Sequence, residues 1–275
     1  MNKMNSKRET LTAGFLAIGN ELLDGIVLES NCHWMETRLV ALGVDIRRLV
    51  SVRDEIDEIG KALQFVREVC DVIITSGGLG PTHDDMTLKA IAVALGRKTV
   101  EDKKAIEIVK RQYEILHDKG IVAAPDLTEA RRKMAQLPEG AIPLNNKVGG
   151  APGVRIHDGE TTIFCLPGVP AELKFIFDES VVPWVKENVA QKFYEQLVIF
   201  DLKDESVFSP AIDSVMKKFS NVYIKSLPKP YGTSRGIRVW ISARGSDDSK
   251  IQRDVKDAIV SLEKATGTIS RPANG

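Results

Sequence analysis

Asp71-Val72-Ile73-Ile74-Thr75-Ser76-Gly77-Gly78-Leu79-Gly80-Pro81-Thr82-His83-Asp84-Asp85-Met86-Thr87 decides the fold class. Asp71 to Thr75 is a short apolar, β-branched run that reads as a buried strand, and Thr87 to Leu95 reads as a helix. A strand that feeds a glycine loop and then a helix is where α/β proteins place ligands. Glycine lets backbone N–H groups approach an anion closely. Two adjacent carboxylates at the same spot repel that anion unless a divalent cation lies between them. The stretch therefore suggests a metal-bridged phosphate ester. The same residues also fit a tight turn in which Asp84 or Asp85 is an ordinary helix N-cap.

Toward the N-terminus, Ala13 to Ile18 is a second apolar run, followed at once by Gly19-Asn20-Glu21-Leu22-Leu23-Asp24-Gly25. Val44 to Val52 alternates like a strand, and Arg53-Asp54-Glu55 opens the next helix. Two amphipathic helices lie between these strands, with Met35, Leu39 and Leu42 in the first and Ile56, Ile59, Leu63 and Val66 in the second. Such a series implies parallel strands joined by right-handed crossovers. Their loops all open at the carboxyl edge of the sheet, where open α/β folds bind ligands. Glu21, Asp54 and the Asp84-Asp85 pair thus have one edge on which to meet. Singly, Asp54 with Asp57 also reads as a capping pattern, and Glu21 as a solvated loop acid.

Toward the C-terminus, Glu101 to Leu116 reads as a helix with Ile106, Val109, Tyr113 and Leu116 inward. A second helix is predicted over Leu127 to Leu137, behind a capping-box pattern of Asp126 and Glu129. These helices read either as a flap over the ligand edge or as a cover for the sheet, with Arg131, Arg132 and Lys133 as a charged, solvated face. Asn145-Asn146-Lys147-Val148-Gly149-Gly150-Ala151-Pro152-Gly153 fits an anion nest or a hairpin turn. Val154 to Ile156 and Thr161 to Leu166 read as strands, the second ending in Pro167-Gly168-Val169-Pro170-Ala171-Glu172. There Pro170 suits a first helical position and Glu172 an electropositive first turn; the helix is interrupted or ends near Pro183. From Ala190 the pattern is strand, helix, strand, strand, helix: Gln196 to Leu202, Ser206 to Phe219, Val222 to Leu227, Ile237 to Ala243 and Ser249 to Ala265. That predicts a small α+β domain with a frayed tail from Gly267 to Gly275. A GxxxG in the loop Pro230 to Gly236 lies between two strands, not between the helices that grip RNA.

The chain has 38 basic and 38 acidic residues among 275 and no net charge. No basic block with interleaved aromatics is present, so nucleic acid is not the expected partner. Cys32, Cys70 and Cys165 stand singly, without zinc-ligand spacing, and read as reduced core thiols. Met1 to Thr10 lacks an apolar core and no run of about eighteen apolar residues occurs, so neither a signal peptide nor a membrane span is expected. Of His33, His83, His117 and His157, only His83 lies in the acidic loop.

The motifs Gly19 to Gly25, Ser30-Asn31, Arg53-Asp54, Gly77 to Thr87 and Leu166 to Glu172, in that order, resemble the N-terminal region of the CinA family (competence/damage-inducible protein A). That region is similar in turn to the molybdopterin-binding domain shared by MogA, MoaB and MoeA. The resemblance runs from about Thr12 to about residue 185 and continues more loosely to the end. It implies a three-layer α/β/α domain with a mostly parallel sheet, followed by a small C-terminal KH-like α+β domain. The bounds expected are a disordered tail over residues 1–11, the ligand-binding domain over 12–189 and the small domain over 190–275.

In CinA-like proteins the implied activity is metal-dependent hydrolysis of ADP-ribose at its diphosphate; in MogA-like relatives it is adenylyl transfer from ATP to molybdopterin. A non-catalytic nucleotide-binding protein is a third expectation. By motif position Asp54 and Asp85 match the acids that MogA-like enzymes use and are the expected catalytic groups. Asp84, Asp85 and Asp54 are the expected ligands for Mg²⁺, Co²⁺ or Ni²⁺, with K⁺ as a further ion. The expected nucleotide and phosphate contacts are Gly19, Asn20, Glu21, Ser76, Gly77, Gly78, Gly80, Thr82, Thr87, Asn146, Gly149, Gly150, Gly153, Pro167, Gly168, Val169 and Glu172. Among these, Asn146 to Gly153 matches the family's Asn-x-x-Gly-x-Ala-Pro-Gly, with Gly150 where a hydroxyl residue is often found. The resemblance implies a small-molecule nucleotide such as ADP-ribose or its AMP moiety, or a pterin, as ligand. The small domain reads as an interaction or dimerisation module, so a homodimer or other homo-oligomer is expected, and length and composition agree with a cytoplasmic enzyme. Longer CinA-like proteins continue into an amidase domain that acts on nicotinamide mononucleotide; this chain stops before it, and that activity is not expected here.

Overall fold

The structure, a computed structural model, describes residues 10–202, 205–227 and 236–273. The chain divides into two units, one of Met1–Val40 with Val44–Val189, the other of Ala41–Gly43 with Ala190–Gly275. In the first, the elements follow as β1 (Thr12–Ile18), α1 (Asn20–Leu23), α2 (Asn31–Ala41), β2 (Asp45–Val52), α3 (Ile56–Arg67), β3 (Val72–Ser76) and α4 (Thr87–Ala94). Then come β4 (Thr99–Glu101), α5 (Lys103–Asp118), α6 (Glu129–Lys133), β5 (Gln136–Pro138), β6 (Ile142–Leu144), β7 (Gly153–Asp158), β8 (Thr161–Leu166) and α7 (Pro170–Ile176). A π-helical turn, Phe177–Val181, leads from α7 into α8 (Val182–Asn188), so the last helix is interrupted before Pro183.

The main sheet has the order β2-β1-β3-β8-β7-β6. Strands β2, β1, β3 and β8 are parallel, and β7 and β6 add on antiparallel to their neighbours. β3 and β8 are buried along their whole length, as strands covered on both faces must be. Side chains alternate between two cores. Leu16, Ile18, Ile73, Ile163 and Cys165 pack with Ile59, Leu63 and Val66 of α3, Ala90 and Ile91 of α4, and Ala105 and Val109 of α5. On the opposite face Phe164 meets Trp184 of α8 edge to face, and Trp34 of α2 meets Phe177 in the same way. The sheet is thus the middle of three layers, as expected. Cys32, Cys70 and Cys165 are buried free thiols; burial pushes the Cys165 thiol up to about 12.

Three local readings of this unit are corrected. The helix predicted over Leu127 to Leu137 shrinks to α6, capped by the Thr128 side chain and not by Asp126. Gln136–Pro138 instead pairs as β5 with β4, which takes Glu101 out of the predicted helix that becomes α5. Of the tail expected to be disordered, residues 1–9 lie outside the described residues, but Leu11 is buried and its carbonyl accepts from Asp45 N–H at 2.9 Å.

The second unit contains β9 (Lys192–Phe200), α9 (Glu205–Lys218), β10 (Val222–Leu227), β11 (Ile237–Gly245), α10 (Asp248–Thr266) and β12 (Ser270–Pro272). Its antiparallel sheet has the order β10-β11-β9-β12. Phe200, Phe208, Val239, Ile241, Val255 and Leu262 lie in its core. The frayed tail is a correction: Gly267, at φ 65°, ends α10 in a left-handed cap, and Ser270–Pro272 then pairs with β9. The Ser270 amide and hydroxyl both donate to Glu263 Oε1, at 2.9 and 2.8 Å. The GxxxG loop lies outside the described residues except for Gly236. No helix among the described residues is long and apolar enough to cross a membrane.

Candidate functional site

Register brings the ends of four parallel strands level: Ile18 pairs with Val52, Ala17 with Ser76, and Ser76 with Leu166. The segments leaving those ends are therefore neighbours, and backbone bonds tie them together. Gly19 N–H donates to Val52 O at 3.1 Å and Gly77 N–H to Leu166 O at 3.0 Å. Asn31 closes the arrangement from the start of α2, its Nδ2 donating to Ser76 Oγ at 3.0 Å and to Gly168 O at 2.8 Å.

The glycine loop takes its shape from two positions that a side chain would disrupt. Gly77 and Gly78 sit at φ 108° and 66°, where L-residues are strained. A Cβ at Gly77 would stand 2.1 Å from Ile18 O, and one at Gly78 would stand 2.2 Å from Thr87 Oγ1. Thr87, fully buried, donates its hydroxyl to Gly77 O at 2.9 Å and its amide to Gly78 O at 3.2 Å. Among the described residues no acceptor takes the N–H groups of Gly78, Leu79 or Gly80. Those amides are available to an anion.

Neither aspartate pair acts as a cap. The residue before α4 is Met86, without a side-chain cap, and the residue before α3 is Glu55, likewise without one. Asp54 instead accepts from Asn20 N–H at 2.9 Å through Oδ2. Burial, and then the negative charges of Glu21, Asp84 and Asp85, raise the Asp54 carboxyl above its ordinary value, against the Asn20 bond that lowers it. Asp85 Oδ2 accepts from Thr82 N–H at 2.8 Å and lies 2.6 Å from Thr82 Oγ1, which also lies 2.5 Å from Asp84 Oδ1. A hydroxyl has one proton, so it satisfies one of these carboxylates at a time. The Thr82 hydroxyl holds the Asp84 carboxyl below its ordinary value, with His83 and Lys133 adding to the effect. Lys133 also donates to Thr82 O.

One cavity of about 370 Å³ collects these groups. Glu21, Asp54, Gly77, Gly78, Gly80, Thr82, Asp84, Asp85, Gly150, Pro167, Gly168, Val169 and Glu172 line it. Gly19, Asn20, Ser76, Thr87, Asn146, Gly149 and Gly153, also expected as contacts, are not among the lining residues. Of the two readings of this stretch, nest or turn, Asn146, fully buried, makes a closed turn: its Oδ1 accepts from Val148 and Gly149 N–H, and its Nδ2 donates to Ala151 O and Glu172 Oε2 at 2.8 and 2.6 Å. Burial raises the Glu172 carboxyl, and the Asn146 bond opposes that shift. His83 is exposed and lies outside the lining. Tyr113 and Met134 line the cavity but had only been read as helix residues. The segment they belong to therefore both covers the sheet and reaches the ligand edge.

Among the described residues no group of three or more His, Cys, Asp or Glu side chains is placed to hold a metal ion. The donor set fits a hydrated hard cation held by one or two carboxylates, which is how Mg²⁺ is bound when phosphate oxygens complete its shell. Two carboxylates crowding one hydroxyl proton, and a third raised chiefly by burial and in part by the acids around it, leave negative potential at that spot.

A family profile described as a probable molybdopterin binding domain matches residues 14–187. A Pyrococcus furiosus protein is 38% identical over 245 residues, covering 89% of this chain and 94% of its own length. A Thermococcus kodakarensis protein is also 38% identical, over 87% of this chain and 94% of its own. The crystal structure of the protein CinA, of unknown function, from Thermoplasma acidophilum superposes with a TM-score of 0.58 at 35% identity, covering 64% of this chain and 99% of that one.

Proposed function

The chain belongs to the family of probable molybdopterin binding domains, and from that membership and the cavity's chemistry we infer that it cleaves the diphosphate linkage of a nucleotide, with ADP-ribose as substrate. The observation that carries this reading is the convergence in one cavity of Glu21 and Asp54 with Asp84, Asp85 and the glycine loop. Glycine-loop amides suit a diphosphate, and the carboxylates suit a cation that neutralises it.

One or two of Asp84, Asp85 and Asp54 would hold a divalent cation, Mg²⁺, Co²⁺ or Ni²⁺. When bound, it supplies charge neutralisation on the diphosphate oxygens. The N–H groups of Gly78, Leu79 and Gly80 bind the phosphate oxygens and stay in place as charge develops there. Asp54 orients a water and accepts its proton as the water oxygen attacks phosphorus. The anhydride P–O bond breaks, giving AMP and ribose 5-phosphate. A raised carboxyl value makes Asp54 a stronger base than a solvated aspartate.

The test is to incubate purified protein with ADP-ribose and each metal, with and without K⁺, beside ATP with molybdopterin. Release of AMP, lost by about a hundredfold or more in Asp54→Asn and Asp85→Asn with unchanged circular dichroism, is the expected result. Hydrolysis at the parent rate by both variants refutes the assignment. Adenylyl transfer without hydrolysis would replace it by a molybdopterin-directed reaction.

A further inference from the structure

We propose that Tyr113 seats the planar heterocycle of the ligand, a purine or a pterin, and so selects for heterocycle-bearing phosphates over bare sugar phosphates. The inference rests on the reading of the cavity as a phosphate-ester site and adds which wall takes the ring. Tyr113 is the aromatic residue among those lining the cavity. The Arg131 guanidinium lies 3.8 Å from its ring centroid and is itself fixed by Ala124 O at 2.8 Å and Asp126 O at 2.6 Å. One ring face is thus covered by a cation that cannot easily leave.

The ring lies close against Gly150, which lines the same cavity. A Cβ at Gly150 would lie 2.8 Å from Cε2 and 3.1 Å from the phenol oxygen, so any side chain there would displace the ring. Among the described residues the phenol hydroxyl has no hydrogen-bond partner. A tyrosine held as core filling buries its ring and satisfies its hydroxyl. This one is half-buried, packs in part against the main core, carries a cation over its ring, and lines the cavity with a hydroxyl that has no partner among the described residues. A ring fixed in advance binds a base without losing further side-chain freedom. The stack of heterocycle, phenol and guanidinium gains from the cation on its outer face.

The experiment compares AMP, ribose 5-phosphate and inorganic pyrophosphate by calorimetry on the full chain with Mg²⁺. The parent is expected to bind AMP more tightly than ribose 5-phosphate. Tyr113→Leu, which keeps bulk, and Tyr113→Ala are expected to lose AMP affinity by about ten- to a hundredfold, with ribose 5-phosphate and pyrophosphate changed by less than about threefold. Tyr113→Phe is expected to retain most AMP affinity, and thermal melts establish that each variant folds. A folded Tyr113→Leu protein that binds AMP as the parent does, or a parent with no preference for AMP over ribose 5-phosphate, overturns the proposal and leaves the cavity reading intact. A parent that binds none of the three overturns both.

Discussion

Replacing Thr87 by valine tests whether the glycine loop is set by one buried hydroxyl. Valine has nearly the shape of threonine, so packing around this fully buried site is preserved and the perturbation is electrostatic. The substitution removes the 2.9 Å bond to Gly77 O and leaves that carbonyl short of a donor. Losing one partner of a buried hydrogen bond costs about 1–3 kcal/mol. For a folding unit of this size, that lowers the melting temperature by about 2–4 °C per kcal/mol, or about 2–12 °C in all. The same bond orients the peptide between Gly77 and Gly78, and with it the Gly78 N–H. AMP affinity is therefore expected to fall by about tenfold beyond any effect of stability, since small misplacements of binding groups carry large penalties. Differential scanning calorimetry and titration calorimetry read the two effects separately. Thr87→Ser, which keeps the hydroxyl and loses only the methyl, is expected to recover AMP binding. A valine variant with parental melting and parental affinity refutes the argument; lowered melting with parental affinity restricts the hydroxyl to a structural role.

Gly77→Ala is expected to cost more than Thr87→Val, above about 2 kcal/mol, because a left-handed backbone and the Ile18 carbonyl both oppose the methyl and neither is a flexible side chain; urea denaturation measures it. In metal-free protein the Asp54 carboxyl is expected to titrate above the ordinary aspartate value, and Glu21→Gln to move it downward by removing a neighbouring charge. Mg²⁺ should lower it as well, and carbon-13 NMR of the carboxyl follows both changes. Glu172→Gln keeps an acceptor for Asn146 and is expected to raise the melting temperature at neutral pH. The folded-state value of Glu172 lies above the unfolded one, so the native protein is penalised once pH exceeds the ordinary carboxyl range. The gain from glutamine should then shrink as pH falls through the raised folded value and be gone below about 4, and melts recorded across pH check this.

The parallel strands were readable because β-branched apolar runs bounded by glycine and acid have few other solutions, and β3 and β8 are buried end to end. Three-residue strands carry no such periodicity. Gln136–Pro138 looked like the end of a helix, and Ser270–Pro272 like a loose tail, since both are defined by the partner strand and not by their own composition. The acids at the strand ends were legible for a topological reason: parallel strands leave their carboxyl ends on one edge. Hydroxyl direction was not. Ser76 and Thr87 have the residue type of phosphate contacts, yet one accepts from Asn31 and the other bonds back to Gly77. Tyr113 carried the reverse ambiguity, since an aromatic at an inward helical position reads as core until Gly150 is found against its ring.

The site's logic lies in what its charges forbid. A cavity walled by Glu21, Asp54, Asp84, Asp85 and Glu172 repels a phosphate ester, while the amides of Gly78, Leu79 and Gly80 attract one. Nearby bases relieve the conflict only in part: Lys133 helps keep Asp84 ionised while donating to Thr82 O, and the Arg131 guanidinium is engaged with Ala124 O, Asp126 O and the Tyr113 ring. Nor do these aspartates cap the helices that follow them: α3 and α4 start without a side-chain cap, and Asp54 bonds instead to the first amide of α1. An arrangement that holds carboxylates together at a cost, using Thr82, Asn20 and Asn146 to fix them, is coherent when a cation and a phosphate ester enter as a pair. The cation answers the carboxylates, the ester answers the amides, and each lowers the electrostatic cost of the other.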